Sequence, residues 1–301
     1  MSEAADPGAS AADLGEALSR AIAPLVAHDA VKLLGTSPNA GSALWSFGFW
    51  HAYDPDFCRP RPRTGTGPGN GTGSEMRLLL RDARGRWGQL GLVRAERGRP
   101  FDETDVKRAA QLAPTLIAFL RAYVTAGPLA PSVPPPPPGV FVIGPDEAVR
   151  TATPQAYQWR QQLEDHASAP RFTSDASTTG LAAQTRRHAR DPNADPPLIV
   201  GPSAVYGRWV AAHGQVLDGT DDVAVIIQAA STQQLLPAFC GWYGISARER
   251  QIIAQLREAR APKQIARCLD LSVHTVNDHL KAVFRKTGAS GRDELLAAFT
   301  A

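Results

Sequence analysis

The chain has 301 residues, 43% apolar and 20% charged, with a formal net charge of +3; that length suits two or three domains of about 100–200 residues. No run approaches the ~18–20 apolar residues of a membrane span, and the acidic opening MSEAADPGASAADLGEAL lacks the basic start and apolar run of a secretion signal. The three cysteines, Cys58, Cys240 and Cys268, stand apart with no Cys/His spacing for zinc, so no metal site and a reduced, cytoplasmic setting are expected.

After a tail expected to be disordered over 1–15, a first α+β segment is expected over 16–125. Its opening helix carries Leu14, Leu18, Ile22 and Leu25 at helical spacing. Apolar runs follow at Ala30–Leu34 and Leu44–Phe49. Met76–Leu80 and Trp87–Val93 then read as strands joined by a hairpin turn at Arg84-Gly85. Phe101-Asp102 leads into a final helix with Val106, Ala110, Leu112, Ala113, Leu116, Ile117 and Leu120. This order of elements, and Trp87-Gly88-Gln89-Leu90-Gly91-Leu92 through Asp105 in particular, resembles a GAF-like sensory domain. A departure is the tract RPRPRTGTGPGNGTGS from Arg59 to Ser74, expected as a flexible loop where such a domain carries pocket-lining elements. The aromatic run Leu44–Asp54 supports two readings. Either Trp45, His51 and Tyr53 belong to the wall of a small-molecule pocket, or Trp45, Phe47 and Phe49 alternate inward on a strand that ends at Trp50 and His51.

Residues 126–139 read as a Pro-rich linker, in which Pro134–Pro138 form a semi-rigid spacer of about 3.1 Å per residue. In a second segment, 140–232, Val140–Ile143 reads as a strand, Gly144–Glu147 as a turn, and Val149 with Thr151 as a second strand. A helix follows near Gln155–Leu163, and the segment closes with strands at Tyr206–Ala212 and Val223–Ile227. In outline this resembles a PAS-like fold, a small antiparallel sheet flanked by helices. Trp159 and Trp209 are expected in its core, and 233–240 is read as a second linker.

The last segment, 241–301, reads as four short helices. Ser246 and Glu249 form an S-x-x-E capping box, with Ile252, Ile253 and Leu256 behind it as a buried stripe. Pro262 opens a second helix, whose inner face is Ile265, Ala266 and Leu269, and Cys268 is expected as a small core residue there. Asp270-Leu271 makes the turn, where Asp tolerates a left-handed backbone. Ser272 caps a third helix to about Lys286, and Gly288 stops it. On that helix Val276, Leu280 and Val283 point inward while Asn277, Asp278 and Lys281 point outward. Such an outward face could meet a major groove: Asn pairs with adenine, Asp accepts from cytosine, and Lys favours guanine or phosphate. Lys263, Ser272, Thr275, Arg285 and Lys286 are candidates for the phosphate backbone. This segment holds ten basic and six acidic residues, against 22 and 23 elsewhere. The positive excess thus favours a polyanionic partner for the C-terminus specifically. Capped amphipathic helices alone would favour an ordinary bundle with a solvated charged face.

The order of residues goes further. Ser246–Glu249, then Lys263-Gln264-Ile265-Ala266 with Leu269, Leu271-Ser272 with Thr275-Val276 and His279, Val283, and Lys286 with Gly288 closely resemble the helix-turn-helix of LuxR-type regulators. The resemblance places base reading on Asn277, Asp278 and Lys281, and phosphate contacts on Lys263, Thr275 and Lys286. It makes His279 a packed residue, and the fourth helix, Arg292–Phe299, a dimerisation helix with Leu295, Leu296 and Phe299. Closure of the small core is the other reading of those three. Ala259 replaces the usual Gly of a turn, Ala261 replaces the usual Ser/Thr cap, and Asp278 adds negative charge to the groove-facing side.

The expected architecture is therefore multidomain: GAF-like and PAS-like α+β sensory domains followed by an all-α four-helix domain. What the resemblance implies is a cytoplasmic, one-component transcriptional regulator, an activator that binds promoter inverted repeats on double-stranded DNA as a homodimer. RNA polymerase and an unidentified small-molecule ligand are its further expected partners. The alternative is a protein-interaction module using the helical domain only to dimerise, a role that does not require the basic groups at Lys263, Lys281 and Lys286. No G-x-S-x-G, Walker, H-E-x-x-H or G-x-G-x-x-G context is found, so neither catalysis nor a cofactor is expected.

Overall fold

The computed structural model describes residues 11–38, 44–53, 74–94, 99–131, 134–167 and 172–299. Cys58, Asp54 and all of the Arg59–Ser74 tract except Ser74 lie outside them. Among the described residues no helix is long and apolar enough to cross a membrane.

The first segment opens with helix α1, Ala11–Ile22, so residues 11–15 of the expected tail are helical. Leu14, Leu18 and Ile22 are buried, but the helix ends at Ile22. Leu25 is therefore 46% exposed, and Val26 turns into the core instead. Strands β1 (Ala30–Thr36), β2 (Trp45–His51), β3 (Ser74–Asp82) and β4 (Gly85–Arg94) form an antiparallel sheet in the order β2-β1-β4-β3. All seven residues of β1 are buried, the mark of a strand covered on both faces. Gly15 lets α1 approach this sheet, because a Cβ there would lie 2.1 Å from the Trp50 carbonyl oxygen.

Phe47 and Phe49 point into the main core as expected, whereas Trp45 packs edge-on to Trp50 on the other side. The reason is a register shift between Gly35 and Thr36 in the partner strand, opposite Trp45. The expected final helix is two helices, α2 (Glu103–Gln111) and α3 (Ala113–Thr125). Pro114 in the first turn of α3 cannot donate to a continuing helix ladder. Val106 consequently lies on the outer side of α2, with Ala109 buried in its place.

The Pro134–Pro138 run has no regular structure, but the Pro137 carbonyl accepts a 2.9 Å hydrogen bond from the Trp159 indole, tying the run to the second segment. Strands β5 (Gly139–Ile143), β6 (Val149–Ala152), β7 (Leu198–Gly201), β8 (Val210–Val216) and β9 (Val223–Ala229) form a second antiparallel sheet, ordered β6-β5-β9-β8-β7. Its helices are α4 (Pro154–Ala167), α5 (Phe172–Arg190) and α6 (Ser203–Tyr206). Tyr206, expected to open a strand, ends α6; Gly207 at φ +67° turns the chain before β8 starts at Val210. Both sheets place their first and last strands side by side, and among the described residues the first sheet has one strand fewer.

The segment expected as a second linker is helical. Helix α7, Thr232–Tyr243, is capped reciprocally by Ser231 and Gln234 and buries Leu235, Ala238, Phe239, Trp242 and Tyr243. Its Pro237 and Gly241 interrupt the helical appearance of the sequence. The Gly241 position faces Pro38, whose Cγ a Cβ would meet at 2.8 Å. One continuous apolar core runs from α1 through the first sheet, one face of the second sheet and α7 into the C-terminal helices. A separate core fills the other face of the second sheet around Phe141, Trp159, Leu181 and Val225.

Candidate nucleic-acid interface

Four helices complete the chain: α8 (Ala247–Arg257), α9 (Pro262–Leu269), α10 (Val273–Thr287) and α11 (Arg292–Ala297). Ser246 Oγ accepts from the Glu249 N–H, and Glu249 Oε2 accepts from the Ser246 N–H at 2.6 Å. Glu249 is only 4% exposed, because Lys286 reaches back from α10 to within 2.6 and 2.8 Å of its two oxygens. Burial alone would raise the Glu249 carboxyl, but the Lys286 ammonium and the Ser246 donors outweigh it and hold the group below the usual carboxylate range. Lys286, a candidate phosphate contact, is thus engaged within the domain as the clasp between α8 and α10.

The two helix junctions follow from residue chemistry. Ala259 adopts φ +58° after α8, a conformation in which a Cβ is strained. Ala261 begins α9 without a side-chain cap, although Gln264 Oε1 accepts from its N–H at 2.8 Å. Ala261→Ser should supply the missing acceptor and raise the stability of the domain by about 1 kcal/mol. Thermal denaturation of the full chain would check this, and an unchanged midpoint would mean that Gln264 already suffices. Asp270 takes φ +51° in the turn between α9 and α10, and the Leu271 N–H closes that turn on the Ala266 carbonyl at 2.9 Å. Ser272 Oγ then accepts from the Thr275 N–H at 3.0 Å, and Gly288 at φ +76° ends α10.

The faces of α10 separate as the spacing predicts. Val276, Leu280 and Val283 are buried; Asn277, Asp278 and Lys281 are exposed. Asp278 is bracketed along that exposed face, with His274 Nε2 at 3.3 Å one turn before it and Lys281 Nζ at 3.8 Å one turn after it. The His274 contact is absent from the sequence-based expectations, although the i,i+4 spacing of His274 and Asp278 is a visible signal for it. Lys263, Arg267 and Arg285 are exposed, Thr275 and His279 half-buried. Cys268, expected in the core, is exposed instead and accepts from Arg260 at 3.0 Å; it lies on the outer side of α9, opposite Ile265 and Ala266.

Among the candidate dimerisation residues, Leu295 is fully buried and Phe299 nearly so, with Leu296 half-buried. The Phe299 ring packs 4.9 Å from Phe239 of α7, and its carbonyl accepts from Thr232 at 3.1 Å. Phe299 therefore docks on α7. The three candidate pocket residues do not converge. Trp45 borders a cavity at the second sheet, His51 is half-buried at the end of β2 opposite Val31, and Tyr53 is held by Lys32 at 2.5 Å and by Glu75 at 3.1 Å.

Residues 244–299 match the family described as bacterial regulatory proteins, luxR family. A monoamine regulon transcriptional regulator of Klebsiella aerogenes is 43% identical over 53 residues. That match covers 18% of this chain and 23% of the relative, so the chain spans less than a quarter of the curated relative's length. Capped helices, a left-handed Asp turn, a buried stripe and an exposed polar face on α10 all coincide with the matched residues. The C-terminal residues 244–299 are a helix-turn-helix domain of the luxR family of bacterial regulatory proteins.

Proposed function

We propose that the chain is a sequence-specific transcriptional regulator that binds promoter DNA through α10. The observation that carries this reading is the exposed Asn277–Asp278–Lys281 face inside a region matched to the luxR family. Asn277 and Lys281 read base edges in the major groove; Asp278 reads cytosine or orients its neighbours. Lys263, Ser272, Thr275 and Arg285 hold phosphates, joined by Lys286 where Glu249 releases it. The protein acts in the cytoplasm as a homodimer on inverted repeats, with Leu296 and the outer side of α11 in the dimer contact, and it activates transcription with RNA polymerase. Its two antiparallel sheets with flanking helices support GAF-like and PAS-like sensory roles upstream, and hence a one-component regulator.

Two substitutions separate the roles. Lys263→Ala should weaken binding to every DNA sequence and reduce the slope of log affinity against log salt by about 1. Asn277→Ala should lose about 1–3 kcal/mol of discrimination at its base pair while leaving random-sequence binding nearly intact. Competition binding of full-length protein, with a selected site and with random DNA over a salt series, reads both. Equal losses on both DNAs for both variants would remove the assignment of α10 as the reading helix.

A further inference from the structure

The inner face of the second sheet leaves a cavity of about 70 Å³ between the sheet and helices α4 and α5. At roughly 10–15 Å³ of such volume per water, it has room for a molecule of roughly five to seven non-hydrogen atoms. Ile199, Val225 and Ile227 give it an apolar floor, and Leu181 walls it from α5. Ser177 and Thr178, also on α5, bring hydroxyl groups to its edge. Among the described residues no charged side chain lines it, so an ionised ligand would be desolvated there without a counter-charge from them.

The remaining wall comes from the first sheet. Trp45 and Ser46 of β2 border the same cavity, and Tyr206 of α6 joins the two sheets there. The Tyr206 hydroxyl donates to the Ser46 carbonyl at 2.6 Å. Its ring lies over Gly201, where a Cβ would come within 2.4 Å of Tyr206 Cε2. Beside it, Ser37 donates to the Val200 carbonyl of β7 at 2.6 Å, a second hydrogen bond between the first and second segments. The wall formed by Trp45 and Ser46 is therefore present only while the two sheets are held together.

We propose that this cavity binds a small uncharged molecule with an apolar body and one hydroxyl or carbonyl group, held where the second sheet meets Trp45 and Ser46 of the first. The body rests on Ile199, Val225, Ile227 and the Trp45 indole, and the polar group meets the α5 hydroxyls. A bound molecule touches both Trp45 and Tyr206, so its occupancy bears on how tightly the first sheet is held to the second. Binding at this site does not depend on the DNA-binding reading, and it is tested without DNA.

Full-length protein carrying fluorotryptophan is titrated with isoamyl alcohol and, as a charged control of similar size, with isovalerate, and followed by fluorine NMR. The Trp45 resonance is assigned by its loss in Trp45→Phe. A saturable shift of that resonance with the alcohol, with the Trp87 and Trp242 resonances unmoved and no response to isovalerate, is the expected result. Ser177→Leu, which fills the cavity from α5, should weaken binding about tenfold or more, equivalent to at least ~1.4 kcal/mol. The absence of a saturable Trp45 shift in the unsubstituted protein overturns the site, as does a shift that a folded Ser177→Leu leaves unchanged. An equal response to isovalerate overturns the uncharged ligand class. The unsubstituted protein alone decides the matter if Ser177→Leu fails to fold.

Discussion

Trp242→Ala is expected to destabilise the chain by about 3–5 kcal/mol, the range for deleting a fully buried tryptophan. The indole of Trp242 is fully buried, 5.4 Å from the ring of Trp87 and 5.9 Å from that of Phe47, both on strands of the first sheet. It stands two residues before Gly244, where the luxR-family match begins. Three positions back on the same helix, Phe239 packs against Phe299 and tilts toward Trp209 of the second segment. Helix α7 is thus held by the first sheet, by Trp209 of the second segment and by Phe299, and the surrounding strands cannot collapse inward to fill the space of an indole. Urea denaturation should show the loss directly, and limited proteolysis should cut faster between 231 and 246. Trp242→Phe should recover part of the difference by restoring aromatic contact. A wild-type midpoint for Trp242→Ala would contradict the packing role given to α7.

Asp105→Asn is the second large effect expected, about 3 kcal/mol. Asp105 is 3% exposed and accepts from Arg94 at 3.0 Å, from Arg99 at 3.1 Å and from the Asp102 N–H at 3.2 Å. Arg94 is itself buried, with its guanidinium 4.1 Å from the centre of the Phe101 ring and bonded to the Ala27 carbonyl. An asparagine keeps the shape and part of the cap but leaves the Arg94 charge buried without its counter-ion. The Arg94 guanidinium holds the Asp105 carboxyl below the usual carboxylate range. A carboxyl that is more acidic folded than unfolded contributes its full stability above the unfolded pKa of about 4, and loses it as pH falls through the folded value. The gap between wild type and Asp105→Asn should therefore be constant near neutral pH and close in acid below about pH 4. A gap that widens in acid would exclude the ion pair as its cause.

The C-terminal helices were legible because each of their boundaries is a local chemical event. A Ser–Glu box, a proline at a first turn, an Asp in a left-handed turn and a stopping glycine lie within a few residues of the backbone groups they satisfy. The paired strands of the first sheet were legible for a similar reason, since Asp82 and Gly85 close a two-residue hairpin. Helix α5 was not. It faces the sheet with Thr178, Leu181, Ala182 and Thr185, mostly small residues that produce little apolar periodicity. Their value lies in close approach: a Cβ on Gly214 would strike Thr185 Oγ1 at 1.8 Å. Helix α7 was hidden by its internal proline and glycine, whose tolerance depends on partners far away in sequence. The Lys286 clasp shows the same limit at the DNA-binding domain. A lysine near the end of a helix carries the same letter whether it faces a phosphate or a glutamate 37 residues earlier.

The central pairing of first and last strands fixes where each sheet joins the rest of the chain. Ala30 lies opposite Val93 in the first sheet, and Gly139 opposite Ile227 in the second. Each sheet is consequently entered and left at neighbouring points at one end of its paired inner strands, like a loop of thread drawn out from a seam. A unit of that form can lengthen, lose a strand or be replaced without moving the two ends that its neighbours must reach. The helices that follow α7 can in this way be carried behind upstream units of different size.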